Sequence, residues 1–237
     1  MKARNWMQVG GVMLTVWGTS TMLYTEATRA GQEPTTLRAL YGLPRPLSLG
    51  APRTALVLVD FQNEFVEGKL PLPEARPAIR RAAELAAWGR RVGILVVLVQ
   101  NVATRPTSPV FAVGSRTTEL VPELAPHAED LVLQKSTGGG FTRTTLDAEL
   151  RARNIDAVIV GGFMTHLAVA ITASDAAVLG YRVIVASDAT ATRALPGAGD
   201  ERGVDANALQ RAALDAMADR AADVMPCHAV MAIPVTR

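Results

Sequence analysis

Cysteine and histidine are scarce in this sequence, which has 237 residues, one cysteine and three histidines. The single thiol excludes an intrachain disulfide framework and a zinc site built from several cysteines. The histidines, His127, His166 and His228, lack the spacing of a metal-binding motif, so no metal is expected. An excess of charge is also missing, because 24 Lys and Arg residues stand against 22 Asp and Glu residues. This balance gives no support for nucleic acid as a partner.

Charged residues are also absent from a long stretch near the N-terminus. Lys2 and Arg4 precede residues 5–25, which carry no charge, and Thr28–Ala30 then offers small residues of the kind a signal peptidase recognises. Residues 1–30 are therefore predicted to be an export signal, which would place the protein in the periplasm or outside the cell. An uncleaved membrane anchor remains an alternative, as does a misassigned start or a plain N-terminal extension, in which case the protein would be cytoplasmic. Glycine and polar residues dilute the apolar stretch, so a stable membrane span is not favoured.

Apolar residues are plentiful, at 49% of the chain, and a chain of this length can bury a substantial core. One compact domain is predicted, spanning 54–237. The preceding region, 31–53, is predicted to be an irregular Pro-rich linker, because the residue before a proline disfavours helix. Its prolines are Pro34, Pro44, Pro46 and Pro52.

From residue 54 onward, short apolar runs alternate with segments of helical period. The apolar runs are 55–59, 94–99, 130–134, 157–160 and 182–186, and the helical segments are about 76–91, 145–154, 167–179 and 205–221. A last stretch, 229–235, is predicted to add an edge strand. The alternation predicts an α/β fold, a Rossmann-like three-layer α/β/α sandwich with a mainly parallel central sheet.

Polar residues stand where several of these apolar runs end. Ligands of parallel sheets bind outside the carboxyl ends of the strands, so polar side chains there carry more weight than elsewhere. Asp60, Lys135, the segment 163–168 and Asp188 occupy such positions. Taken singly, each can be a solvated loop residue, and Asp188 can equally cap the following turn. Their occurrence at one edge favours a site built around Asp60 and Lys135.

The segment Gly161–Val169, GGFMTHLAV, resembles the strand-to-helix elbow of the isochorismatase-like hydrolases, also called cysteine hydrolases. The usual form of that elbow is Gly-x-x-Thr-x-x-Cys-Val. Other segments similar to the family follow in the same order, namely LVDFQNEF at 58–65, GKLPLP at 68–73, Lys135 with Phe141, and VASDATATR at 185–193. Gly139 replaces the serine that the family has between Lys135 and Phe141, which predicts a looser loop.

The resemblance implies roles for individual residues. Asp60 corresponds to the catalytic acid and base of the family, Lys135 to the lysine that supports it, and Ala168 stands at the position of the nucleophilic cysteine. The elbow residues whose backbone N–H groups would hold an oxyanion are Phe163, Met164, Thr165 and Leu167. A cis peptide common in the family would here join Phe163 to Met164.

The same resemblance implies a small-molecule substrate or ligand, no cofactor and a homo-oligomer. Residues expected to line the pocket are Phe61, Phe65, Phe141 and His166, with Phe163 beside them, although some of the phenylalanines can instead pack in the core. His166 can equally cap the start of the helix. Family members that hold a metal use histidines near the pocket, and 61–105 contains none.

Alanine at position 168 excludes an acyl-enzyme mechanism, because a thiolate is the nucleophile of that route. Three hypotheses remain. The chain can be a hydrolase in which Asp60 acts on water or substrate directly, attacking an amide or vinyl-ether type C–N or C–O bond. It can be a cysteine amidase whose cysteine was replaced by alanine. It can be a catalytically silent relative that binds a small molecule or a partner.

Overall fold

The computed structural model of the protein describes residues 34–199 and 201–237, in which Thr35–Arg237 form one compact unit. The predicted export signal at 1–30 lies outside the described residues. Among the helices of the described part, none combines the length and apolar character needed to cross a membrane.

A central sheet of six strands organises the fold. In chain order the strands of the protein are β1 (Leu49–Gly50), β2 (Thr54–Val59), β3 (Leu95–Asn101), β4 (Leu131–Lys135), β5 (Ala157–Phe163), β6 (Arg182–Ala191), β7 (Asp223–Met225) and β8 (Val235–Thr236). The central sheet has the order β4-β3-β2-β5-β6-β7, and every neighbouring pair in it is parallel. β1 and β8 form a separate parallel pair.

Helices cover both faces of this sheet. They are α1 (Leu37–Leu40), α2 (Ala75–Val92), α3 (Leu146–Ala152), α4 (Ala170–Val178), α5 (Ala206–Arg220) and α6 (Cys227–Met231). Side chains of α2 and α6 pack with Leu56 and Leu58 of β2, whereas α3, α4 and α5 contribute to the core that holds Val57 and Val59. Alternate residues of β2 thus face opposite layers, which is why the strand reads as a continuous apolar run. The predicted three-layer α/β/α sandwich is confirmed.

The chain order creates a crevice at the middle of the sheet. From β2 the chain proceeds outward to β3 and β4, and it then returns to the other side of β2 as β5. At such a reversal the connections after the two central strands leave in opposite directions, and the space between them is where ligands of these sheets bind. The residues that follow β2 and β5 are therefore the ones placed to form a site.

Two predicted segments are corrected by the structure. The stretch 31–53 is not an irregular linker from Thr35 onward, because it contains α1 and β1 and is tied to the domain. Arg38 makes an ion pair of 2.8 Å with Asp223, and Leu49 is fully buried. The stretch 229–235 is mostly helix α6 and its following turn, with Val235 in strand β8 outside the central sheet, and the edge strand beside β6 is the three-residue β7.

Candidate active site

Asp60 lies at the carboxyl end of β2, at the middle of the sheet. Its side chain is almost fully buried, and Lys135 Nζ donates a hydrogen bond of 2.7 Å to its Oδ2 atom. Lys135 is the last residue of β4, two strands away, and its ammonium reaches across the end of β3. The structure therefore brings together the two strand-end residues singled out in the sequence.

The strand between them contributes a residue that sequence reasoning missed. Asn101, at the end of β3, accepts a second hydrogen bond of 3.3 Å from Lys135 Nζ through its Oδ1 atom. The fully buried Gln62 fixes the Asn101 backbone, accepting its N–H and donating to its carbonyl, each at 2.8 Å. The strand-end rule did not find Asn101, because Gln100 directly follows the apolar run 94–99 and the structure extends β3 to Asn101.

Burial dominates the electrostatics of Asp60. Loss of solvent around the carboxylate raises its pKa from the usual 3.8 to about 7, and the charge and hydrogen bond of Lys135 oppose that rise. The second carboxylate oxygen, Oδ1, is buried and makes no hydrogen bond to any described residue. A buried oxygen without a partner is costly unless a water or a ligand supplies one. Asp60 thus has one oxygen held by Lys135 and one available for chemistry.

The elbow follows β5, on the other side of β2. The peptide bond between Phe163 and Met164 is cis, as the resemblance implied. A single π-helical turn, Thr165–Val169, then leads into α4. The methyl group of Ala168 is buried within this turn, whereas Leu167 is half exposed. The Thr165 hydroxyl is buried and has no hydrogen-bond partner among the described residues, so the elbow also presents an unused polar group.

Glycine at position 162 lets β5 approach β2 closely at the elbow. A Cβ atom there would lie 2.2 Å from the carbonyl oxygen of Val59, and the φ angle of Gly162 is +147°. Because of both observations, a larger residue could be accommodated at position 162 only if the backbone rearranged locally. The glycine in the elbow motif therefore has a structural cause, because it sets the spacing of the two strands that flank the crevice.

The loop that follows Lys135 is packed more tightly than its glycines predict. Gly139 and Gly140 are buried. Gly139 donates its N–H to the Thr142 hydroxyl at 3.0 Å, and the Thr144 hydroxyl donates to the Gly140 carbonyl at 2.6 Å. The expectation of a looser loop is wrong, because small residues here permit contact rather than freedom.

The phenylalanines expected to line the pocket lie mostly in the core. Phe61 and Phe163 have no solvent-exposed surface, and their ring centroids are 4.6 Å apart. Phe65 packs against Phe163 at 5.5 Å and is also buried. In this conformation Phe61 and Phe163 cannot touch a ligand, which corrects their placement as pocket walls. Phe141 is partly exposed and packs on Tyr181, with centroids 5.8 Å apart.

His166 and Asp188 lie in different surroundings. The His166 ring nitrogen Nδ1 shares a hydrogen bond with the Thr192 hydroxyl, which links the elbow to the end of β6. Burial, and then the charge of Arg193, lower the pKa of His166, so the neutral ring is favoured. Asp188 lies inside β6 rather than at its end, and its carboxylate accepts the N–H of Cys227 at 2.6 Å. Asp188 is thus a capping residue of α6.

A cavity of about 240 Å³ lies beside the carboxyl-terminal half of β6, where Asp188, Thr190 and Thr192 help to line it. A cavity of about 590 Å³ lies at the opposite edge, at the amino ends of β5 and β6, where Tyr41 and Tyr181 help to line it. Within 34–199 and 201–237, no three His, Cys, Asp or Glu side chains are grouped so that they could hold a metal ion.

Comparisons with known proteins show the family of the chain. The sequence profile described as the isochorismatase domain matches residues 54–228. The chain belongs to the isochorismatase family. It is 31% identical to the secreted isochorismatase effector Isc1 of Verticillium dahliae, over 77% of this chain and 92% of that protein. It is 31% identical to the ureidoacrylate amidohydrolase RutB of Variovorax paradoxus, over 62% of this chain and 72% of the relative.

A solved structure extends the likeness to three dimensions. The N-carbamoylsarcosine amidase of Thermoplasma acidophilum superimposes with a TM-score of 0.63 at 33% identity, covering 74% of this chain and 96% of that one. Similar proteins are thus named as hydrolases, and two of the three named here carry amide hydrolysis in their names. Membership of a hydrolase family is established on these grounds.

Proposed function

We propose that this isochorismatase-family protein hydrolyses an amide or vinyl-ether type C–N or C–O bond of a small molecule without a covalent intermediate. Asp60 is the acid and base, and Lys135 orients it and tunes its pKa. The observation that carries the proposal is the state of Asp60, whose Oδ2 is held by Lys135 while its buried Oδ1 has no partner among the described residues.

The pKa of Asp60 suits this role. With a pKa raised to about 7, both the carboxylate and the acid are populated at neutral pH. A group in that condition can remove a proton in one step and return it in the next, which is the requirement of general acid–base catalysis. An ordinary exposed aspartate would be almost entirely ionised and would be a poor acid.

For an amide, the carboxylate of Asp60 removes a proton from water as the water oxygen attacks the carbonyl carbon. The C–O bond forms, and the carbonyl electrons move to the oxygen, where backbone N–H groups of the elbow stabilise the charge. Asp60 then returns the proton to the leaving nitrogen as the C–N bond breaks. The products are a carboxylic acid and an amine, and the enzyme is regenerated.

For a vinyl ether, protonated Asp60 donates its proton to the vinyl carbon, and the ether oxygen stabilises the cation that forms. Water adds to that cation, its proton returns to Asp60, and the adduct collapses to a carbonyl compound and an alcohol. Both reactions use the same carboxyl group and the same water. The names of the amide-hydrolysing relatives favour the amide as the first substrate class to test.

Alanine at position 168 is compatible with direct attack by water. The proposal places Ala168 where the family has its cysteine, and a methyl group there offers no nucleophile. Cys227 does not replace that nucleophile, because its thiol is fully buried and burial raises its pKa far above neutrality.

The test is hydrolysis of a panel of small amides, esters and vinyl ethers by the full-length protein, by Asp60→Asn and by Ala168→Cys. The proposal expects turnover by the parent protein, loss of that turnover in Asp60→Asn, and no covalent adduct in the intact mass of the parent during turnover. Turnover that survives Asp60→Asn would overturn the assigned roles. Turnover only in Ala168→Cys would indicate an amidase site that lacks its nucleophile. Absence of turnover in all three forms, each shown to be folded, would indicate a binding role.

Two further properties belong to the same proposal. We infer export from the uncharged stretch at 5–25 and from the similar protein that is named as secreted. The expected homo-oligomer is supported by exposed apolar side chains at the end of α4 and just beyond it, Val178 and Leu179. Cell fractionation and light scattering of the purified protein test these two points.

A further inference from the structure

The loop that carries Lys135 and the helix that follows the elbow are joined by one buried side chain, Thr172 of α4. Its hydroxyl donates a hydrogen bond of 2.6 Å to the carbonyl oxygen of Ala168. The same hydroxyl accepts the N–H of Gly140 at 2.8 Å. The side chain has no solvent exposure, so neither bond competes with water.

One of these bonds alone would be ordinary. A threonine in a helix often donates to the carbonyl four residues earlier, with little consequence for function. Thr172 differs because its oxygen also receives an N–H from a loop 32 residues away in sequence. Its single donor and an acceptor lone pair are both used, and each connects to a different part of the site.

Glycine at position 139 makes this connection possible. A Cβ atom there would lie 2.7 Å from the backbone nitrogen of Thr172 and 2.8 Å from Cγ2 of Ile171. Any larger residue would push the loop away from α4. The loop is also braced on its far side, where the Thr144 hydroxyl donates to the Gly140 carbonyl. Both the backbone N–H and the backbone carbonyl of Gly140 are therefore held by hydrogen bonds.

We propose that Thr172 is a positioning residue that sets the place of residue 168 and the first helical turn relative to Lys135 and Asp60. Lys135 and Gly140 are five residues apart in one short, braced loop, and Ala168 and Thr172 are one helical turn apart. The Thr172 hydroxyl links this loop to the first turn of the helix. The effect of Thr172 on catalysis rests on the proposed function, whereas its effect on the position of residue 168 does not.

The position of residue 168 relative to Lys135 and Asp60 is tested with a thiol placed at that residue. In Ala168→Cys, the rise of thiolate ultraviolet absorbance with pH, measured against the parent protein, reports the apparent pKa of the new thiol, which depends on its distance from the charges of Lys135 and Asp60. Thr172→Val keeps the shape of the side chain and removes both hydrogen bonds, and Thr172→Ser keeps the hydroxyl. We expect Thr172→Val to shift the apparent pKa by about half a unit or more, and Thr172→Ser to leave it near the starting value.

Thr54→Val is the matched control. Thr54 is equally buried, and its hydroxyl donates a comparable bond of 2.8 Å to the Gly50 carbonyl at the opposite edge of the sheet. A general loss of stability would affect both variants alike. The inference is overturned if Thr172→Val shifts the thiol pKa no more than Thr54→Val does. Should Thr172→Val fail to fold, Gly139→Ala displaces the same loop with Thr172 intact and must give the same shift.

Turnover supplies the second readout. If a panel substrate is hydrolysed, Thr172→Val should lower kcat by about tenfold or more while KM changes little, because the reacting groups are misplaced rather than removed. Thr172→Ser should retain most of the activity, and Thr54→Val should retain all of it. If no substrate is turned over, the proposed function fails, and the thiol titration still decides the role of Thr172.

Discussion

Replacing Lys135 with methionine should change how the stability of the protein depends on pH. Lys135 Nζ and Asp60 Oδ2 are 2.7 Å apart, and both side chains are nearly inaccessible to water. Without the ammonium, the Asp60 carboxylate is buried with no opposite charge beside it. Because Lys135 lowers the pKa of Asp60, its removal should raise that pKa above the present value of about 7.

The magnitude follows from the two pKa values of Asp60. The unfolded chain releases this proton near the usual pKa of 3.8, whereas the folded protein releases it near 7. Between those values the folded state holds one more proton, so stability falls by about 1.4 kcal/mol for each unit that the pH rises. In the parent protein the loss is complete near pH 7. In Lys135→Met the loss should continue above pH 7, so that at high pH the variant is about 3–5 kcal/mol less stable than the parent, the usual cost of removing one partner of a buried pair.

Urea unfolding between about pH 5 and about pH 9 measures this curve directly. Asp60→Asn combined with Lys135→Met is the control, because it removes the titrating group and leaves no unpaired charge. Asparagine is also well tolerated at the positive φ of 60° that Asp60 adopts. The reasoning is refuted if Lys135→Met parallels the parent above pH 7, or if the double variant is no more stable than Lys135→Met at high pH.

Four other predictions concern the rest of the domain. Gly162→Ala should destabilise the fold by about 3 kcal/mol or more, because its Cβ would lie 2.2 Å from a backbone oxygen. Gly89→Ala in α2, where the nearest atom is 3.7 Å away, should instead stabilise it by about 0.5–1 kcal/mol in the same denaturant assay. The buried Cys227 thiol should react with Ellman's reagent only after unfolding, and a rapid reaction of the native protein would contradict its burial. Arg193→Gln should raise the pKa of His166 in an NMR titration, and an unchanged value would rule out a contribution from the Arg193 charge.

The layered sheet could be predicted because its strands are buried on both faces. A continuous apolar run such as 55–59 has few alternatives to a central parallel strand, and the structure extends it only by one residue. The edge strand β7 was missed, because three residues including an aspartate carry too little pattern to distinguish them from a loop. Helix α6 was missed because its apolar residues face the core beside α2, which the local sequence does not reveal.

The site was predictable to the extent that strand ends define it. Asp60 and Lys135 were located because each closes an apolar run, and the carboxyl ends of parallel strands share one edge. The burial of Phe61 and Phe163 depends on how two neighbouring strands converge, so no local pattern could separate a core ring from a pocket wall. The link through Thr172 depends on a glycine 33 residues earlier in the chain, and neither residue is informative without the other.

The pairing of β1 with β8 also bears on the order in which the protein acquires its structure. Leu49 contacts Val235, and Arg38 contacts Asp223, so the segment that precedes β2 is held by residues from the last part of the sequence. A ribosome must complete nearly the whole domain before these partners exist, and long-range contacts of this kind form late because the chain between them must first be ordered. Residues 35–50 are therefore expected to stay undocked until the last part of the domain has been synthesised.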